Sequence, residues 1–245
     1  MSKKFALILF LVALPSVAKA AQFFDGADDR LFCGTSTNMI PATNQISIAA
    51  WVNVNNVLSN VVFGRTAISN AEPYFFRVQI GAGIRLAIKT GGVVTQVSGG
   101  PTLAIGRWYH IAGTWDGANV RLYTDGVLVA GPTAKTGTFD VNAATAAVGI
   151  LDQGTIPFGG LMDDLRVYSR ALSASEIATL AGSRSRQPPE DGMFLYLPMD
   201  EYPDGTAVDG MKFVDRSTNR FTCTGDDGAN NTGLIARGST WINYQ

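Results

Sequence analysis

Along much of the chain apolar residues fall at every second position. Ile46, Ile48, Ala50, Val52 and Val54 do so in one run, Tyr74, Phe76, Val78 and Ile80 in the next, and Ile84, Leu86 and Ile88 in a third. A period of two puts such residues on one face of a strand, whereas a helix repeats at about 3.6. The stretch Trp108–Trp115 alternates less cleanly, and Asp116-Gly117 then turns the chain into Val120, Leu122 and Thr124. Asp125-Gly126 is a strong two-residue hairpin signal, because both turn positions need positive φ; residues 127–129 run back from it. Short strands, each apolar on one face and separated by glycine-rich turns, predict an all-β sandwich of two packed antiparallel sheets. One helix interrupts them near 173–181. Ser173 and Glu176 form a capping box, Ile177 and Leu180 give a single apolar stripe, and Gly182 can end the helix. A polar linker follows at 183–191, where Pro188-Pro189 forbids regular helix, and a further apolar run occupies 193–199.

The N-terminus does not fit the alternating pattern. Lys3 and Lys4 precede an uncharged apolar run at 5–14; Pro15 breaks it, and Ala18 and Ala20 are small residues where a signal peptidase reads. The run is about ten residues, too short for a bilayer core that needs roughly 20. A signal peptide over 1–20, cleaved after Ala20, is expected, with a buried N-terminal helix as the alternative. No cysteine stands at the cleavage site to carry a lipid, so the expected product is secreted, periplasmic or held at a cell surface, without membrane insertion. Losing the leader takes three lysines and moves the formal net charge from −1 to −4. That mild acidity argues against nucleic acid, which rewards a clustered basic face. Two cysteines, Cys33 and Cys223, would then enter an oxidising compartment, as a bridge or as two buried thiols.

Four segments together resemble a known family. They are Phe24-Asp25-Gly26-Ala27-Asp28-Asp29; the run from Gln45 to Val52 containing Trp51; the run from Trp108 to Gly117, continued by 120–126; and the run from Gly160 to Tyr168 containing Asp163-Asp164, continued by 170–177. Their order and spacing over 22–181 are similar to the laminin-G-like domains of the concanavalin-A-like lectin/glucanase superfamily, close to the pentraxin shape. The resemblance implies a jelly-roll sandwich. In that family a strand usually precedes the Phe24-Asp25-Gly26 motif. Here its counterpart resembles residues 193–241: Met193 through Glu201, then Asp215-Arg216-Ser217-Thr218-Asn219, then Gly238 to Trp241. The chain therefore looks circularly permuted, with 21–245 one domain and 193–245 supplying the displaced strands. A truncated second repeat, or strand donation to a neighbouring subunit, are the alternatives. Permutation would keep the Cys33 and Cys223 segments adjacent, which implies a disulfide between them.

The resemblance also implies a structural calcium held by Asp25, the Gly26 carbonyl and Asp164, with Asn219 as a further ligand; calcium takes six to eight hard oxygens. Catalysis is not expected. The single histidine, His110, lies in a central strand with nothing nearby to suggest a triad, and one His with two distant Cys gives no zinc spacing. Glycoside hydrolysis needs two carboxylates facing one sugar. The Glu-x-Asp-x-x-Glu string of the glucanase relatives is absent, and Asp163-Asp164, like Asp200-Glu201, would point to opposite faces of a regular strand. Trp51 and Trp108 read as core rather than sugar platform. Asn230-Asn231-Thr232 is a formal glycosylation sequon. The expected function is lectin-like recognition of a glycan or protein at a surface. The alternatives are a self-associating structural subunit of an envelope, filament or particle, and a divergent hydrolase.

Overall fold

The computed structural model describes residues 20–33, 39–56, 60–66, 73–79, 81–141, 145–150, 156–182, 190–200, 212–226 and 236–238. The sequon, Glu201, Pro188-Pro189, Trp241 and nearly all of the leader lie outside them. Sixteen strands and one helix follow in order: β1 Ala20–Asp25, β2 Arg30–Cys33, β3 Ile46–Val54, β4 Asn60–Thr66, β5 Tyr74–Gln79, β6 Gly83–Thr90, β7 Val93–Gly99, β8 Trp108–Trp115, β9 Asn119–Thr124, β10 Val127–Ala134, β11 Thr145–Val148, β12 Gly159–Tyr168, α1 Ala174–Gly182, β13 Met193–Leu197, β14 Lys212–Val214, β15 Thr222–Asp226 and β16 Ala236–Gly238.

They form two antiparallel sheets. The first runs β10-β9-β8-β3-β12-β1-β16, with β13 on the far half of β12; the second runs β14-β15-β2-β11-β4-β5-β6-β7. The predicted alternation sets the interface. Ile46, Ile48, Ala50, Val52 and Val54 face Tyr74, Phe76, Val78, Ile84, Leu86 and Ile88 across one continuous core. Trp115 lies in that core, edge-on to Phe139 at 4.7 Å, and its indole N–H donates to the Lys135 carbonyl at 2.7 Å. A buried Trp N–H needs such a partner. At the β9–β10 hairpin Asp125 and Gly126 take φ of 49° and 81°, as the turn type requires.

Helix α1 closes the exposed face of the first sheet. The Ser173 N–H donates to the Glu176 carboxylate at 2.8 Å and the Glu176 N–H to Ser173 Oγ at 3.3 Å, which is the predicted box. Arg170 forks onto the same carboxylate at 2.6 and 3.1 Å, and this pair, ahead of the Ser173 bonds, holds Glu176 down at about 2. Ile177 and Leu180 pack on Ala49, Ala112, Tyr123 and Tyr168.

The strands after the linker pair within their own chain. β13 adds to β12, β15 to β2 and β16 to β1. Cys223 lies opposite Cys33 in the β15–β2 ladder, and the two form a disulfide with Cα atoms 4.1 Å apart. Three positions along, Arg30 forks onto Asp226 at 2.8 and 3.1 Å.

Candidate functional site

The four positions expected to share a calcium do not converge. Asp25 ends β1 opposite Gly159, the first residue of β12, while Asp164 lies five positions further along that strand. At about 3.3 Å per residue that is roughly 15 Å. Asp164 has other work. It sits at a β-bulge with φ of 51°, 1% exposed, where it accepts from the Tyr196 hydroxyl at 3.0 Å and pairs with buried Arg166 at 3.3 Å. The bulge also corrects the expectation of a regular strand at Asp163-Asp164. Asn219 is spent locally, its side-chain amide donating to the Phe194 carbonyl at 2.9 Å.

Asp25 instead gathers with Asp28 and Asp29: one carboxylate oxygen from each lies within 4.8 Å of the others. Gly26, at φ of 87°, makes the turn that brings them together. Asp29 is fully buried and accepts the Asp25 N–H at 2.7 Å; Asp25 accepts the Ala27 N–H at 2.7 Å. Hard carboxylate oxygens gathered at this spacing suit calcium.

His110 is buried in the middle of the first sheet. It is 1% exposed, its ring lies edge-on to Trp51 at 5.4 Å, and neither ring nitrogen has a hydrogen-bond partner. Burial, followed by the nearby Arg166 charge, pushes it down to about 3, so it stays neutral over the ordinary pH range. Trp51 and Trp108 are buried as expected. They lie on the outer face of the first sheet with Ala21, however, not in the intersheet core.

The feature that sequence reading missed is a groove of about 290 Å³ beside β13, lined by Glu190, Met193, Tyr196, Arg216, Ser217, Thr218 and Arg220. Asp215 builds its wall. Buried at 1% exposure, its carboxylate accepts from the N–H groups of Tyr196, Ser217 and Phe221 and from the Ser217 hydroxyl, all at 2.8–2.9 Å. That hub curls residues 215–221 against β13 and leaves Arg216, Thr218 and Arg220 exposed at the rim. Arg216 pairs with Asp200 at 3.2 Å. Arg220, in left-handed backbone at φ of 52°, makes no ion pair among the described residues. The floor comes from Met193 and Tyr196, whose hydroxyl is anchored on Asp164. The groove thus offers an apolar floor, guanidinium and hydroxyl donors, and the Glu190 carboxylate as an acceptor.

Residues 25–178 match the Laminin_G_3 family model of the concanavalin A-like lectin/glucanases superfamily. The chain belongs to this family. Among curated proteins it is similar to the pentraxin-related protein PTX3 of Mus musculus, 22% identical over 184 residues, which is 70% of this chain and 48% of that protein. It thus spans about half the length of that relative. A Bacteroides ovatus protein provisionally assigned to carbohydrate binding superposes with a TM-score of 0.69 at 20% identity, covering 91% of this chain and 60% of that one. A heptameric SAP-like pentraxin from Limulus polyphemus superposes at 0.63 and 17% identity, covering 93% and 98%. At these identities the structural likeness shows the fold, and that fold is the jelly roll of the Laminin_G_3 family. The family match ends before β13, so the groove wall lies outside it.

Proposed function

We propose that the chain is an exported, non-catalytic module that binds glycan at a surface, and that the groove beside β13 is where it does so. The groove carries this reading. Sugar rings present apolar C–H faces and hydroxyl edges, and the Met193–Tyr196 floor with its Arg216, Thr218, Arg220 and Glu190 rim matches both. Its size is at the low end of ligand pockets, about 300 Å³ and upward, suiting one or two sugar units. Support also comes from the carbohydrate-binding assignment of the Bacteroides ovatus relative. Neutral, buried His110 and the Arg166-paired Asp164 supply no acid–base couple. Cleavage after Ala20 would leave Ala21, a buried residue of β1, as the first of the mature chain. We read 21–245 as one permuted domain, because β13, β15 and β16 all pair in cis.

A glycan array probed with residues 21–245 tests this. Binding to a defined set of glycans is expected, weakened at least about tenfold when Thr218→Val and Arg220→Gln are combined, since each lost hydrogen bond contributes about 1 kcal/mol or more. An array without signal, or binding unchanged in that variant, contradicts the reading.

We also propose that Asp25, Asp28 and Asp29 hold a structural calcium. A ligand specific to the folded state adds about 2.7 kcal/mol at a hundredfold excess over its Kd. For a domain of this size the melting midpoint should rise by about 5–10 °C in calcium over chelator. Asp28→Asn should shrink that rise; equal midpoints in calcium and chelator remove the site.

A further inference from the structure

The outer face of the second sheet carries an unusual juxtaposition. On β5 the inward residues are Tyr74, Phe76 and Val78, so Phe75, Arg77 and Gln79 point outward; on β6 the inward residues are Ile84, Leu86 and Ile88, so Arg85, Ala87 and Lys89 point outward. The ladder sets Arg77 directly opposite Arg85 and Phe75 opposite Ala87, with Ser98 and Gln96 of β7 next in the two rows. Directly opposite residues have Cβ atoms about 5 Å apart, and like charges in that relation destabilise a sheet. Here two cations hold it.

Among the described residues of these strands no acid neutralises them. The described residues of β4 through β7 include Arg65, Arg77, Arg85 and Lys89 and no Asp or Glu. Arg85 is held by uncharged groups: its Nε donates to Ser98 Oγ at 2.8 Å and Nη1 to Gln96 Oε1 at 2.6 Å. Arg77 lies over the Phe75 ring at 5.3 Å, and its buried Nε has no hydrogen-bond partner. Burial, then the Arg85 charge, push the Arg77 guanidinium down. Both heads therefore reach into the row formed by Phe75, Ala87 and Gln96, where Ala87 is the small residue between them. Arg77 reaches toward Phe75 and Arg85 toward Gln96, on either side of buried Ala87, and the donors left on the two guanidiniums fit an oxyanion, which guanidinium binds bidentately.

We propose that Arg77 and Arg85 form a second binding site, separate from the groove, for a carboxylate or sulfate presented on an acidic glycan. The two sources share the oxyanion, and separate probes distinguish them: oligogalacturonate for carboxylate, dextran sulfate oligomers for sulfate, and neutral dextran oligomers as control. Titration calorimetry of residues 21–245 should show binding of at least one acidic probe and none of neutral dextran, weakening as salt is raised from about 50 to about 500 mM, which shortens the Debye length from roughly 14 to 4 Å. Arg77→Gln and Arg85→Gln should each weaken binding about tenfold, and the double variant should abolish it. Should the double variant fail to fold, Arg77→Lys carries the test: it keeps the charge but loses the fork, and binding should fall several-fold at an unchanged melting midpoint. The acidic probe that binds tells whether carboxylate or sulfate is taken. Failure of both acidic probes to bind, equal binding of neutral dextran, full binding by the double variant, or loss of binding in Arg220→Gln instead would overturn the proposal.

Discussion

Replacing Cys33 and Cys223 with serine is expected to lower the stability of the domain by about 2–5 kcal/mol, toward the upper end of that range. The bridge joins residues 190 positions apart in a chain of 245. In the chain-entropy account a loop of that length contributes about 5 kcal/mol by restricting the unfolded state. The two residues lie opposite each other in the β2–β15 ladder. The Arg30–Asp226 pair on the same two strands cannot replace the bridge, being about one-quarter and one-third exposed and so worth at most about 1 kcal/mol. Denaturant melts of the oxidised wild type and the double serine variant measure the difference. Equal midpoints, or peptide mapping that finds Cys223 joined to a second chain, would refute a self-completed domain.

Stability should also fall steeply on acidification below about pH 6.5, and His110 should be the largest single cause. Its folded-state value of about 3 lies well below the ordinary value of 6.5. Between those limits the unfolded chain binds a proton that the folded chain refuses, so unfolding gains as pH drops. The stability associated with neutral His110 is fully present above pH 6.5 and is lost progressively down to about pH 3. At about 1.4 kcal/mol per pH unit the loss reaches roughly 4–5 kcal/mol. Glu176, held at about 2, acts in the same direction at lower pH, losing its contribution as pH falls from 4.5. His110→Gln should flatten the profile between pH 6.5 and 4. Urea midpoints across that range decide it: parallel profiles for variant and wild type would mean that His110 protonates freely in the folded state.

How much of this was legible in the sequence depended on whether a feature is local. The alternation of Ile46 to Val54 and of Tyr74 to Val78, the Asp125-Gly126 hairpin and the Ser173–Glu176 box are each settled within a few residues, and the structure reproduces them. The partners of Asp164 were not legible, because the family motif gives the residue type but not the bulge that turns its carboxylate onto Arg166 and Tyr196. The groove escaped notice because it joins β13 to a turn twenty residues later. Asp215, Ser217 and Asn219 match the family pattern and do the folding, whereas Arg216 and Arg220, which line the groove, are the residues between and after them. The Arg77–Arg85 pair needed the strand register, which a one-residue slip would reverse. Lateral pairing across strands is what periodicity alone does not encode.

If the groove beside β13 is the glycan site, a bound glycan must touch its floor and rim. The most direct measurement is chemical-shift mapping of isotopically labelled residues 21–245 titrated with a glycan retained on the array. Shifts are expected to concentrate at Met193, Tyr196 and residues 216–220, with the rest of the first sheet unmoved. Shifts that leave those positions untouched and cluster on another surface of the sandwich would contradict it.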